Sequence, residues 1–350
     1  MNWAVIMAGG YGERFWPMSR RKQPKQLLPI VGDRTMIQQT IQRLEKVIGY
    51  PQMMVVTNHE QASLVRRQLK RVKTVIAEPI GRNTAPCIGL AAKIISKRDP
   101  DGVMAVLPAD SYIRDVRSYR RMLCDALDLA KRESVLVTIG IKPTSPHTGY
   151  GYIRLGGELP TESPTRFWKA RQFVEKPMLE KAKQFVSSGE YRWNAGMFVW
   201  SVKSIIEAFE KYQPEMWRQI NRITDARSLK RIYPKLEKIS IDYAIMEKAD
   251  NVVVANGDFD WDDVGDWPAV ERHYERDANG NVARGAFAGL NAANCVIVSS
   301  DEHLIAAVGV SDLVIVHTAD ATLVCHKSEA QKVREIVKQL AAQRKHHKLL

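Results

Sequence analysis

The chain has 350 residues, 45% of them hydrophobic, and carries a formal net charge of +13. That length and apolar content exclude a disordered or fibrous chain and predict a large domain with a smaller one beside it, because single cores rarely grow past about 250–300 residues. No apolar run approaches a membrane span, and the first one, residues 3–7, is too short for a secretory signal, so a cytoplasmic protein without membrane contact is expected.

Apolar runs at 3–7, 53–57, 103–107 and 135–141 alternate with stretches of helical periodicity at 36–47, 61–69, 85–96 and 119–131. Strand and helix in alternation predict a Rossmann-like α/β fold, a mixed and mostly parallel sheet covered by helices. Ligands of such sheets bind beyond the carboxyl ends of the strands, so the residues just past these runs are the candidates for chemistry. From about 149 to 265 shorter strands mix with helices at 179–187 and 204–212, and the polar stretch 156–165 reads as a surface loop. Brief strand-like runs at 295–298, 304–308, 313–316 and 322–325 then predict a small β-helix-like unit, closed by a helix that Ser328 caps with Glu329 in its first turn. The predicted domains are 1–278 and 279–350.

Cys87, Cys124, Cys295 and Cys325 form no Cys-x-x-Cys pair and are read as reduced, buried, small apolar residues. The basic residues fall on helix faces (Arg66, Arg67, Lys70, Arg71; Arg114, Arg117, Arg120, Arg121) and in the tail at 344–348, without interleaved aromatics. These are solvated faces, and no nucleic acid partner is expected.

Directly after the first strand come Ala8-Gly9-Gly10-Tyr11-Gly12-Glu13-Arg14-Phe15-Trp16-Pro17. The glycines let backbone amides approach phosphate oxygens and Arg14 adds a cationic fork, which makes a phosphate cradle; the plainer reading is a tight strand-to-helix turn. Phe15 at the third-glycine position argues against a dinucleotide loop, and a Walker loop lacks its Gly-Lys-Ser/Thr. Lys25, between Pro24 and Gln26, presents a compact ammonium suited to charge developing on an α-phosphate.

These two segments resemble the signature of the sugar-1-phosphate nucleotidyltransferases, and within them the mannose-1-phosphate guanylyltransferase family. Further matching motifs follow in order: Glu78-Pro79, Arg82-Asn83-Thr84-Ala85-Pro86, Leu107-Pro108-Ala109-Asp110, Thr148-Gly149-Tyr150-Gly151, Val174-Glu175-Lys176-Pro177, Trp193-Asn194-Ala195-Gly196, Asp242-Tyr243-Ala244 and Trp261-Asp262-Asp263-Val264-Gly265. The resemblance implies GTP and mannose 1-phosphate as substrates, Mg²⁺ as cofactor and a homodimer associating through the C-terminal strands. It implies catalytic roles for Arg14, Lys25, Asp110 and Asp263, the two aspartates holding the metal. It assigns Ala8, Gly9, Gly10, Gly12, Glu13, Glu78, Asn83 and Thr84 to the nucleotide, and Gly149, Tyr150, Glu175, Lys176 and Asn194 to the sugar phosphate.

Physical readings stand beside these roles. Asp110 follows a wholly apolar strand, where a hard cation shared with substrate phosphates would sit; by itself it reads equally as a turn or cap residue. Glu78 suits guanine, whose N1–H and N2–H one carboxylate can accept together. Thr84 reads as a helix cap as readily as a nucleotide ligand, and Glu175-Lys176 before Pro177 as an ordinary turn. Asp258, Asp260 and Asp262 read as a solvated acidic loop around Asp263. Two departures from the family pattern are Ser111, where histidine usually follows the metal aspartate, and Ala195, where serine is frequent. Longer relatives carry an isomerase domain, and none is expected here. The competing readings are another sugar phosphate or nucleotide on the same scaffold, or a non-catalytic nucleotide sensor.

Overall fold

The first apolar run becomes strand β1 (Asn2–Met7), near the middle of one half of a nine-stranded sheet. The computed structural model of the protein describes residues 1–300 and 302–350. Strands follow as β2 (Met53–Asn58), β3 (Thr74–Glu78), β4 (Val103–Pro108), β5 (Tyr112–Ile113) and β6 (Leu136–Ile141), then β7 (Gly151–Leu159), β8 (Phe167–Glu175), β9 (Tyr191–Ser201), β10 (Val252–Gly257) and β11 (Trp261–Asp262). The large sheet has the order β3-β2-β1-β4-β9-β6-β10-β8-β7. Within it β1 pairs in parallel with β2 and β4, β2 with β3, and β6 with β10, while β8 and β9 run against their neighbours. All its strands except β8 and β9 therefore point the same way, so their carboxyl ends share one edge of the domain.

The apolar runs are continuous because both sheet faces are covered. Ala4 and Ile6 of β1 pack with the helices Met36–Leu44 and Val116–Arg132, and Trp3 and Val5 pack with Thr84–Ser96 and Val202–Tyr212. Alternate residues thus feed opposite cores, as the period of two requires.

The C-terminal strands are β12 (Val282–Arg284), β13 (Phe287–Leu290), β14 (Val296–Ser299), β15 (Ile305–Val308), β16 (Leu313–Thr318) and β17 (Ala321–His326). β12, β14 and β16 stack in parallel, as do β13 and β15, and β17 closes the first ladder antiparallel. This is a β-helix-like unit. Its Val296, Val298, Val314 and Val316 share one core with Phe15, Trp16, Val264 and Trp267, so it packs on the loop that follows β1.

Several sequence expectations are corrected. Residues 156–159 are not loop but the end of β7, an edge ribbon bulged at Leu155, where exposed polar residues are tolerated. Ser328 does not cap the closing helix. It lies inside a 3₁₀ turn, Lys327–Lys332, capped by the His326 side chain, and the α-helix Val333–Ala341 follows. The Lys327 ammonium on Glu271 (2.5 Å) and Asn294 (2.9 Å) fixes the chain earlier than local propensity would. Only Cys87 and Cys295 are buried; Cys124 is exposed and Cys325 half-buried, Cys124 falling off the apolar stripe of its helix. Among the described residues no helix is long and apolar enough to cross a membrane.

Trp267 is 1% exposed, meets Phe15 edge-on at 4.9 Å and donates its indole N–H to the Trp16 carbonyl at 3.2 Å. Trp267→Ala should cost about 3–5 kcal/mol of unfolding free energy in urea titration, while Met178→Ala, at a side chain 84% exposed, should change it by less than about 0.5 kcal/mol.

Candidate active site

Register brings the first parts of the site together. Met7 of β1 faces Pro108 of β4, and the Ala109 N–H bonds to the Met7 carbonyl (3.0 Å), so the glycine loop and Asp110 leave the sheet side by side. Gln26 donates to the Ala8 and Gly10 carbonyls (2.8 Å each), Thr57 to Ala8 (2.9 Å) and Gln61 to Gly10 (3.2 Å). These buried side chains satisfy the loop's carbonyls and set its path.

Gly12 has φ +62°, and a Cβ there would lie 2.5 Å from Lys25 Cβ and 2.8 Å from Lys25 N. Only glycine permits that backbone and that approach together. Lys25, itself 5% exposed, donates to the Asp110 carboxylate (2.9 Å) and to the Asp263 carbonyl (2.6 Å).

Asp263 reaches this place through a clip. β5 and β11 pair antiparallel, Tyr112 opposite Asp262 and Ile113 opposite Trp261, so the chain leaving Asp110 is bonded to the chain entering Asp263. Asp262 anchors the clip and is not the solvated residue expected. It is buried, held by Arg272 through two bonds (2.7 and 2.8 Å) and by His273 (2.9 Å), and it accepts the Val264 N–H (2.8 Å). These donors outweigh burial and hold its carboxyl well below the usual range. Asp258 and Asp260 are exposed, and Asp260 meets Arg114 at 3.2 Å. Burial pushes the Asp263 carboxyl up, against the lowering effects of the Tyr150 hydroxyl and Lys25. Tyr150 donates to Asp263 Oδ1 (2.6 Å) and stacks on His147 at 3.8 Å between Trp193 and Trp261, a role invisible in its motif.

A cavity of about 630 Å³ opens over these groups. Gly12, Glu13, Arg14, Lys25, Thr84, Asp110 and Asp263 line it, together with Ser111 and Ala195 at the two departures from the family pattern. Ala8, Gly9, Gly10, Glu78, Asn83, Gly149, Tyr150, Glu175, Lys176 and Asn194 do not line it. Glu78 ends β3 behind Gly9, whose Cβ position is 3.2 Å from Glu78 Oε2. Burial raises the Glu78 carboxyl to about 7 although the Tyr233 hydroxyl donates to it. Asn83, not Thr84, caps the helix, accepting the Thr84 N–H (2.8 Å) at φ 68°; the Thr84 hydroxyl accepts the Ile241 N–H (2.8 Å).

Asn194 donates to Asp242 (2.7 Å), which does line the cavity and whose carboxyl burial raises. Glu175 and Lys176 pair with each other at 2.5 Å, and the Gly149 N–H turns to His147 Nδ1 (3.1 Å). Tyr150 lines an adjoining cavity of about 470 Å³, and Trp261 borders both. Sequence reasoning missed Tyr233, Arg334, the partnership of Asn194 with Asp242, and Arg43. The last is a buried guanidinium that donates to the Ser111 carbonyl (2.7 Å) beneath Asp110, and its pKa is lowered by burial to about 10. No motif signals Tyr233, Arg43 or the Asn194–Asp242 pair because each acts through a partner distant in sequence, and Arg334 reaches the cavity lining only through the packing of the C-terminal unit.

The nucleotidyl transferase family model matches residues 3–280, and the model of a MannoseP isomerase/GMP-like beta-helix domain matches 285–340. A Klebsiella pneumoniae mannose-1-phosphate guanylyltransferase is 41% identical over 348 residues, covering 95% of this chain and 72% of that protein. One from Escherichia coli is 40% identical with the same coverage. A solved structure from Thermus thermophilus, described as a mannose-1-phosphate geranyltransferase, superposes with a TM-score of 0.89 at 37% identity, covering 97% of this chain and 99% of that one.

Asp262→Ala leaves Arg272 and His273 without their shared acceptor and should lower stability by about 2–4 kcal/mol in urea titration. Asp258→Ala, at an exposed residue of the same acidic run, should change it by less than about 0.5 kcal/mol.

Proposed function

The chain belongs to the nucleotidyl transferase family, and from that premise we infer that it transfers GMP from GTP to α-D-mannose 1-phosphate, giving GDP-mannose and pyrophosphate. The observation that carries the mechanism is the Lys25 ammonium between the Asp110 carboxylate and the Asp263 carbonyl, on the floor of a cavity walled by the glycine loop and Arg14.

In this reading a phosphate oxygen of mannose 1-phosphate attacks the α-phosphorus of GTP in line, the bond to the β-phosphate oxygen breaks, and pyrophosphate leaves. The attacking phosphate is already ionised, so no general base is needed. Arg14 and the loop amides hold the triphosphate. Lys25 stabilises the charge that grows on the α-phosphoryl group in the transition state. Glu78 accepts the guanine N1–H and N2–H, which favours GTP over ATP, UTP or dTTP. Asn194, oriented by Asp242, with Glu175 and Lys176 and the Gly149-Tyr150 segment, forms the sugar side.

The donor set fits a divalent cation. Burial, with the neighbouring charges of Asp262 and Asp110, raises the Asp263 carboxyl despite the Tyr150 hydroxyl and the Lys25 ammonium, so these protein groups offset the charge of the pair only in part. A small hard ion held by two carboxylates completes its shell with water and substrate phosphates. Mg²⁺ held by Asp110 and Asp263 would supply charge neutralisation at the phosphates.

We assign residues 1–278 to catalysis and 279–350 to subunit contact. Leu290 and Val308, exposed partners in register between β13 and β15, support a homodimer through that face. A soluble nucleotide substrate and four free thiols fit a cytoplasmic setting.

Pyrophosphate release, measured with magnesium across GTP, ATP, UTP and dTTP, each with mannose 1-phosphate or glucose 1-phosphate, should be fast only for GTP with mannose 1-phosphate. Release with another pair would overturn the specificity, and none with any pair the reaction itself. Lys25→Ala should lower kcat by about a hundredfold or more; near-normal turnover would remove Lys25 from the mechanism. Glu78, with its pKa near 7, takes up a proton as pH falls and loses an acceptor for guanine. KM for GTP should therefore rise roughly tenfold from about pH 8 to pH 6, and Glu78→Gln should flatten that dependence.

A further inference from the structure

We propose that Arg334, carried by the closing helix of the C-terminal unit, binds the β- and γ-phosphates of GTP and the pyrophosphate they become. The proposal rests on the nucleotidyltransfer reading above.

Arg334 lines the same cavity as Arg14, Lys25, Asp110 and Asp263, and it is the one residue beyond 279 in that lining among the described residues. It is exposed, and no described residue bonds or pairs with it. Its neighbours are engaged: Lys327 with Glu271, Gln331 with Asp266 and Lys332 with Glu329. An unpaired guanidinium facing a cavity that holds four carboxyl groups, Glu13, Asp110, Asp242 and Asp263, has a planar five-donor fork free for a polyanion. Lys25 is already committed to Asp110. Arg14 and Arg334 are then the cations of the lining left to meet the triphosphate tail.

The position is set by packing. Val333, next to Arg334, is 2% exposed and belongs to the core that contains Phe15 and Trp16, the residues directly after Arg14. The Trp16 indole N–H donates to the Leu349 carbonyl (2.9 Å), and Arg20 pairs with Asp320 (2.8 Å), so the glycine loop is tied to the C-terminal unit at two further points. Arg334 therefore shares its packing with the loop that cradles the triphosphate. The flanks of Asn194 on the sugar side, Trp193 and Ala195, belong to a different core. This arrangement favours the leaving group over the sugar phosphate as its ligand. In consequence the C-terminal unit is a part of the active site as well as a subunit contact.

The test uses the full chain and two variants, Arg334→Ala and Arg334→Lys. Calorimetric titration with inorganic pyrophosphate and with GTP, both with magnesium, should show binding weakened about tenfold or more in Arg334→Ala and partly restored in Arg334→Lys. In steady state KM for GTP, and for pyrophosphate in the reverse direction, should rise by a similar factor. KM for mannose 1-phosphate and for GDP-mannose should stay within about twofold, with Tm unchanged. Unaltered pyrophosphate binding would overturn the proposal, as would an equal rise in all four KM values with a lowered Tm, which marks a structural role. Pyrophosphate binding that depends on Arg334 in a wild-type protein inactive with GTP and mannose 1-phosphate would keep the ligand assignment and overturn the function.

Discussion

Two carboxylates cannot be gathered at one edge of a sheet without a cation to offset their repulsion, which reaches about 4 kcal/mol for unit charges 4 Å apart near a protein surface. The Lys25 ammonium meets that requirement, touching the Asp110 carboxylate and the carbonyl of Asp263 from a nearly buried position. Its place depends in turn on Gly12, where any side chain would collide with Lys25. The glycine-rich segment is thus more than a phosphate cradle: it makes room for the ammonium that lets the acidic pair exist.

Around that contact the fold supplies constraints of different range. Parallel register between β1 and β4 sets the glycine loop beside Asp110. The short β5–β11 ladder then clips on Asp263, about 150 residues further along the chain, and the Asp262 anchor to Arg272 and His273 keeps the clip closed. The β-helix-like unit packs against the outer side of the same loop through Phe15, Trp16 and Trp267. The acidic floor, the cradle and the C-terminal unit are consequently in continuous contact, the Phe15 ring of the shared core lying 5.7 Å from the Lys25 ammonium.

Most strands and helices lie within a few residues of where apolar periodicity puts them, since both faces of the sheet are buried and each helix needs its stripe. The misreadings share a cause. At 156–159, Thr84, Ser328 and Asp262 the local pattern allowed a reasonable reading, and a partner outside that pattern decided otherwise: β8 for the first, Ile241 for the Thr84 hydroxyl, the fixed Lys327 for the cap, and the turn carrying Arg272 and His273, ten and eleven residues on, for the aspartate. Cys124 is exposed for a simpler reason, its angle on the helix.

By itself the sequence determined the α/β class, the order of its elements, the family and the residue types available for chemistry, because these rest on periodicity and on short motifs read within a few residues. Which of those residues meet was decided by tertiary structure alone. Lys25 between Asp110 and Asp263, Tyr150 on Asp263, Asn194 on Asp242 and Arg334 facing the cavity are contacts between segments 48 to 238 residues apart in the hydrogen-bonded cases. Hydrogen bonds and charge pairs act over a few ångströms of space, and separation along the chain carries no information about that distance until the sheet register is set.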